Sequence, residues 1–456
     1  MPGDILDQAA ALGLYDADWC NARGTGMGDV LGAHDCPPSP NFDPVAYQQA
    51  YPDTRAYPHH PLVHYINFGQ FEGRFCFPVF PQPQAQVPPA RVWVENNEFS
   101  LTGAPLAALE LCAGLGFAQG QVMAAAPCAG PLQQRWGRAL CHGLAAIRAQ
   151  TPAVLNDLVA GYQTLFGAYG IQLLHAHTCR AYPAVLAAHG MGVPTIWTIH
   201  EPDTSEHIAD MPPDIQAQLK TALRVADRLV FVSRPSMVAW QGFAGFENAA
   251  LIPKALPPRP AMNRDDARMR LGFAPDHNVI LSVGTVCPRK GQADLVAALA
   301  RFQHAPTTSL VMIGFDNSAY AQRVRAQAAG LKLPTRLINA SASPQDQELV
   351  QDYFAAADIF VMSSYAESHP RTLAEAQMAT CPVIATDVPG IADMVHDGAG
   401  VLYAPGDVAA LGHNIASLLA NAPKRAQMRN HLRNAPGQDY AAMIDAHKKL
   451  IAAVRR

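Results

Sequence analysis

No apolar run in this 456-residue chain is clean enough to cross a bilayer. The most apolar stretch, roughly Leu101 to Pro127, is broken by Glu110, Gln119 and several glycines and reads as buried helix, loop and strand. A basic and then apolar leader is also missing. The first twenty residues carry Asp4, Asp7, Asp16 and Asp18, which excludes an ordinary secretory signal. The expected compartment is the cytoplasm, with or without peripheral contact at the inner face of the membrane. Excess charge of one sign is lacking: 33 basic residues against 37 acidic ones leave a net charge of −4, which gives no reason to expect nucleic acid as a partner. The nine cysteines stand singly, without a CxxC pair, and are expected to be reduced thiols filling small core spaces. No Asp-x-Asp stands at a suitable strand end, and His175 and His177 lack further ligands at convincing spacing. Neither a metal nor another cofactor is therefore expected.

What the chain has is length and alternation. At 456 residues, 49% of them apolar, it exceeds one ordinary core and suggests two to three domains. Residues 1–77 are rich in aromatics and histidine and form a small N-terminal module. A run from Pro78-Val79-Phe80-Pro81 to Pro88-Pro89 cannot be helix or central strand and reads as a semi-rigid spacer over 78–90. Strand-like runs then alternate with helical ones. A first series comprises Arg91 to Val94, Gln121 to Ala125, Ile171 to Leu174, Thr195 to Ile199 and Arg228 to Val232. A second comprises Val279 to Gly284, Leu310 to Gly314, Arg336 to Asn339, Ile359 to Met362, Val383 to Ala385 and Val401 to Tyr403. Short apolar runs separated by amphipathic helices are what a buried parallel sheet requires. The expected fold is α/β: two doubly wound Rossmann-like domains, 91–256 and 257–422, joined near Pro253 to Asp265 and facing across a cleft. C-terminal helices over 423–456 are expected to pack back toward the first. Ligands of such sheets bind beyond the carboxyl ends of the strands.

The most informative stretch is Glu367-Ser368-His369-Pro370-Arg371-Thr372-Leu373-Ala374-Glu375. It follows the strand ending at Met362, so Glu367 lies in the loop at a strand's carboxyl end. Ser368 is a plausible N-cap and Pro370 suits the first turn of the next helix. That helix start offers free N–H groups to a phosphate. Taken alone, Glu375 reads as a surface helix residue and Glu367 as a solvated loop acid; the flanking sequence reverses that reading.

With Glu367 and Glu375 followed by Cys381 to Asp387 and Pro389-Gly390-Ile391, then Asp397-Gly398, Gly400 and Pro405-Gly406-Asp407, the chain resembles the retaining glycosyltransferases with two Rossmann-like domains (GT-B, family 4-like). Two further blocks match, Val283-Gly284-Thr285 through Arg289-Lys290-Gly291 and Gly192-Val193-Pro194 through Ile199-His200-Glu201. The resemblance covers about Arg91 to the C-terminus. It implies that Lys290 holds the donor pyrophosphate, that Glu367 binds the transferred sugar and that Glu375 binds the nucleotide ribose. Backbone near His369, Pro370 and Arg371 would face the phosphates. Gly103, in the turn Ser100 to Pro105, would bring the first domain close to them. His200 would orient the reacting groups, with His177 its rival. The implied partners are a nucleotide-sugar donor and a saccharide or lipid-linked acceptor, with front-face displacement in which the leaving phosphate helps to deprotonate the acceptor. Two departures stand out. Thr285 replaces an arginine common in the family, so one phosphate-binding charge is absent, with Arg289 and Arg371 the candidates to supply it. Pro370 removes one N–H from the donor loop.

The first module resembles a small helical unit appended to bacterial glycosyltransferases, carried by Asn41 to Tyr47, Tyr51-Pro52-Asp53, Pro61 to Gly69 and Glu72-Gly73-Arg74. Its aromatics are expected to form a miniature core rather than a sugar-stacking surface. Two other readings compete with the transferase: a nucleotide-sugar epimerase, against which the glutamate spacing argues, and a non-catalytic saccharide-binding scaffold, for which Thr285 and Pro370 argue.

Overall fold

The computed structural model describes residues 2–11, 14–21, 27–32, 37–39, 42, 44–69, 90–118, 120–127, 130–141, 152–204, 208–209, 211–260, 262–301, 307–339, 344–395, 398–435 and 439–454. The expected spacer over 78–90, apart from Ala90, and the end of the first module at Glu72-Gly73-Arg74 lie outside them.

Seven parallel strands build the first sheet: β1 Val92–Glu95, β2 Val122–Ala126, β3 Ala139–Cys141, β4 Leu173–His177, β5 Thr195–Ile199, β6 Arg228–Phe231 and β7 Ala249–Leu251, in the order β3-β2-β1-β4-β5-β6-β7. Six build the second: β8 Asn278–Val283, β9 Thr308–Ile313, β10 Thr335–Ile338, β11 Ile359–Met362, β12 Val383–Thr386 and β13 Gly400–Tyr403, in the order β10-β9-β8-β11-β12-β13. In each sheet the winding reverses next to its first strand, between β1 and β4 and between β8 and β11, and a crevice opens at such a point.

The strands are mostly apolar because both faces are covered. Trp93, Leu174, Ala176 and Trp197 join the core on one side of the first sheet, while Val92, Val94, Leu173 and Ile196 join the core on the other. The second sheet divides in the same way, Val279, Leu281 and Phe360 to one side, Ile280, Ile359 and Val361 to the other. That alternation is the period of two along a pleated strand.

Three sequence expectations need correction. The strand expected over Ile171 to Leu174 runs instead over Leu173–His177, so both histidines lie inside it. The edge strands β3 and β7 were not expected; each is only three residues long. Gly103 is not in a turn but opens the helix Gly103–Leu115.

The last helix, Tyr440–Val454, crosses back to the first domain, where Ile444 and Ile451 enter its core. Gly114 permits the contact: a Cβ there would lie 2.4 Å from Ile444 Cδ1. The N-terminal module is mainly helical, and Leu6, Phe42, Tyr47, Leu62, Tyr65 and Ile66 are buried in its own small core. Tyr51 packs against both this core and that of the first domain. Among the described residues no helix is long and apolar enough to cross a membrane.

Candidate active site

The site on the second domain is assembled by loops leaving β8 and β11, which are neighbours at the reversal point. Ser363, just past β11, donates its hydroxyl to the carbonyls of Gly291 at 2.8 Å and Lys290 at 3.1 Å. The Tyr365 N–H donates to the Arg289 carbonyl at 2.7 Å. The stitched loops bring Lys290 and Glu367 together, Nζ to Oε1 at 2.5 Å, with Arg289 Nη1 3.4 Å from the same oxygen. Burial pushes the Glu367 carboxyl up, and Lys290 and Arg289 more than offset this, leaving it below its ordinary value. The glycine turn after β12 supports the loop from behind. Gly390 has φ +84°, and a Cβ there would meet the carbonyl oxygens of Glu367 and Ser368 at 2.3 Å, so no side chain fits.

Pro370 is the N-cap of the helix Arg371–Met378, with φ −69° and ψ 118°. Ser368, expected to cap it, instead donates its hydroxyl across the cleft to the His200 carbonyl at 2.6 Å. A proline at the cap costs one donor, but the first-turn N–H groups beyond it have no acceptor within the helix. One turn in, Glu375 is buried and lies 3.0 Å from Arg371 Nε and 3.6 Å from Arg259 Nη1. His369 is also buried, and burial pushes its ring down to about 4.

Facing this loop are the strand ends of the first domain. His175 and His177, two apart on β4, share a face, and His200 follows the neighbouring strand β5. Their rings form a row: His175 Nδ1 to His177 Nε2 at 2.9 Å, then His177 Nδ1 to His200 Nε2 at 3.0 Å. The His447 ring lies 5.7 Å from that of His175. Burial holds the rings of His175, His177 and His200 well below the ordinary histidine value, so they are neutral near pH 7. The rivals His200 and His177 are thus neighbours in one array, with His200 nearer the cleft loop. Four of their six nitrogens are directed at one another, and among the described residues no group of three His, Cys, Asp or Glu is placed to hold a metal. Glu201 fixes the two strand ends, accepting from the backbone N–H groups of Cys179 and His200 at 3.0 Å each.

The two domains are tied across the cleft. Arg371 makes a two-pronged contact with Glu110 on the helix Gly103–Leu115, Nη1 to Oε2 at 2.6 Å and Nη2 to Oε1 at 2.8 Å. Gly103, at the start of that helix, faces the same arginine; a Cβ there would lie 3.9 Å from Arg371 Cβ. A cavity between the domains is lined by His177, His200, Lys254, His369 and Arg371 on its polar side, with Val230, Ile252 and Met443 among its apolar walls. Sequence reasoning missed Glu110, Lys254, Glu201 and His447 as parts of this region. Glu201 stood beside a quoted histidine; the others are isolated charged or polar residues on two helices and a linker, and no motif marks them.

Two Rossmann-like domains that face each other across a cleft, with a charged donor-type loop on one side, define the GT-B class of glycosyltransferase fold. Residues 263–435 match the model for glycosyl transferases group 1, and the chain has the GT-B fold. It is 27% identical over 250 residues, 53% of this chain and 60% of the relative, to the putative teichuronic acid biosynthesis glycosyltransferase TuaC of Bacillus subtilis. It is 34% identical over 169 residues, 35% of this chain and 39% of the relative, to D-inositol 3-phosphate glycosyltransferase 2 of Catenulispora acidiphila. The chain thus spans less than two thirds of the length of these curated relatives. Among solved structures, Anabaena HepE in complex with UDP superposes with a TM-score of 0.62 at 19% identity, covering 80% of this chain and 100% of that one. WaaG, a glycosyltransferase involved in lipopolysaccharide biosynthesis, gives 0.58 at 16% identity, covering 79% and 99%. At these identities the likeness is one of fold.

Proposed function

We propose that the chain is a retaining glycosyltransferase that moves a hexose or related sugar from a nucleotide-sugar donor to a saccharide or lipid-linked acceptor, in bacterial surface polysaccharide or glycoconjugate synthesis. The observation that carries this reading is the Lys290–Glu367 pair beside the open N-terminus of the helix Arg371–Met378, opposite His200. In the reaction the bond from the anomeric carbon to the β-phosphate oxygen breaks and its electron pair leaves with the phosphate. The acceptor oxygen forms the new bond on the same face, and its proton passes to the departing phosphate. Lys290, with the first-turn N–H groups, stabilises charge as it develops on the leaving group. Glu367 takes sugar hydroxyls, Glu375 the ribose, and His200 orients the reacting groups. No metal is assigned a step, since side-chain cations and a helix terminus carry the phosphate charge.

The test is release of nucleoside diphosphate from a panel of UDP-, GDP- and ADP-sugars, followed by anomeric assignment of any product by proton NMR. Slow hydrolysis of one donor supports the reading. Failure of every donor to bind overturns it in favour of a saccharide-binding scaffold, and an inverted product overturns retention.

A further inference from the structure

We infer that Lys254, in the linker between the domains, is a binding residue for the donor's pyrophosphate and supplies the charge absent at Thr285. The inference rests on the proposed donor chemistry. Lys254 follows β7 by three residues. The Ile252 N–H continues the sheet ladder to the Phe231 carbonyl at 2.9 Å, and the Ala255 N–H contacts Met443 Sδ at 3.2 Å. The backbone is thus held on both sides of Lys254, whose side chain lines the inter-domain cavity with His200, His369 and Arg371.

What separates Lys254 from its neighbours is its lack of a fixed carboxylate. Lys290 and Arg289 share Glu367. Arg371 and Arg259 share Glu110 and Glu375. Glu201 is occupied by two backbone N–H groups. Among the described residues no carboxylate lies within ion-pair distance of the Lys254 ammonium. Arg289 and Arg371, the two candidates to replace the charge missing at Thr285, are therefore already engaged, while Lys254 is not. Burial pushes its ammonium down to about 8, with Glu367 and Glu201 opposing that shift and Arg371 and Lys290 adding to it. A cation kept in an enclosed cleft without an internal partner is unfavourable unless a ligand brings the counter-charge. A pyrophosphate lying between the Lys290–Glu367 loop and the linker would be that ligand.

The experiment compares Lys254→Met and Lys254→Arg with the wild-type protein by calorimetric titration of UDP, GDP, ADP and the matching nucleosides. For whichever diphosphate binds the wild type, Lys254→Met is expected to lose about tenfold or more in affinity, as for loss of a charged hydrogen bond. Lys254→Arg should retain most of it, and nucleoside affinity should be unchanged, which also shows that the variant is folded. Equal diphosphate affinity in Lys254→Met and wild type overturns the inference. So does an equal loss for nucleoside and diphosphate, which marks a packing role. Inorganic phosphate titrated into the diphosphate-loaded protein separates the other source of the anion: if only that binding is weakened, the charge serves an acceptor phosphate and the donor assignment is overturned. If no diphosphate binds the wild type, the donor reading itself falls; pyrophosphate binding to the wild type but not to Lys254→Met would then still support the cation site, and equal or absent binding would overturn it.

Discussion

Glu367 keeps its charge in a buried loop because two cations stand beside it, and Lys290 is the nearer. Replacing Lys290 with methionine removes the charge expected on the leaving phosphate and leaves Glu367 with Arg289 alone. Turnover should fall by roughly a hundredfold or more, the cost of losing one electrostatic stabiliser; steady-state kinetics with an active donor measures it, and a twofold loss would transfer the phosphate to Arg289 or Lys254. Glu375 offers a separate test. Its carboxylate is held by Arg371 and Arg259, so Glu375→Gln keeps its shape and, on the proposed ribose role, weakens nucleotide binding. Nucleoside diphosphate affinity should drop by about tenfold with little change in melting temperature. Unchanged affinity in a calorimetric titration would remove the ribose role from Glu375.

At the scale of elements, the long apolar strands were legible because a parallel sheet buried on both faces leaves an unbroken hydrophobic run. Where such a run is short or polar, the reading slipped. β3 and β7, Ala-Leu-Cys and Ala-Ala-Leu, are too brief to show a period. β4 was placed two residues early because histidines do not look like buried strand, yet His175 and His177 are buried through their bonds to each other and to His200. The loop from Glu367 to Glu375 could be recognised as a motif, but Ser368 reaches across the cleft rather than capping its own helix. Local sequence carries no record of that partner. The buried histidines have a consequence for stability. Burial pushes His447 and His369 down to about 4, whereas unfolding returns a ring to about 6.5. Between those values the unfolded chain binds protons that the folded chain does not, so stability is fully present above about pH 6.5 and declines as the pH falls toward 4. In His447→Phe one such proton is removed. Urea midpoints at pH 7.5 and 5.0 should then differ less than in the wild type, the slope near pH 5 being flatter by about 1.4 kcal/mol per pH unit. An identical slope would mean that His447 titrates alike in both states.

For the whole molecule the question is what holds the two domains together before any donor arrives. Each has its own core, and the side-chain contacts across the cleft are polar: Arg371 and Arg259 with Glu110, and Ser368 with the His200 carbonyl. The two-pronged Arg371–Glu110 contact has the best geometry among them, and both side chains are largely withdrawn from water, at 9% and 15% exposure. Inter-domain surfaces of this polar kind ordinarily permit relative motion, and closure would exclude water from the donor. Glu110 is therefore expected to act as a latch. In Glu110→Gln the guanidinium of Arg371 keeps Glu375 but loses its charged partner on the first domain, so the closed state should be depopulated. Small-angle scattering of the unliganded variant should give a larger radius of gyration than the wild type, and a saturating nucleoside diphosphate should reverse the difference by bridging the halves. Because neither core depends on the contact, the melting temperature should change little while the KM for donor rises. If scattering from Glu110→Gln superposes on that of the wild type without ligand, the latch is not Glu110, and the closed arrangement rests on Ser368 and on the helix Tyr440–Val454 that returns from the second domain to the first.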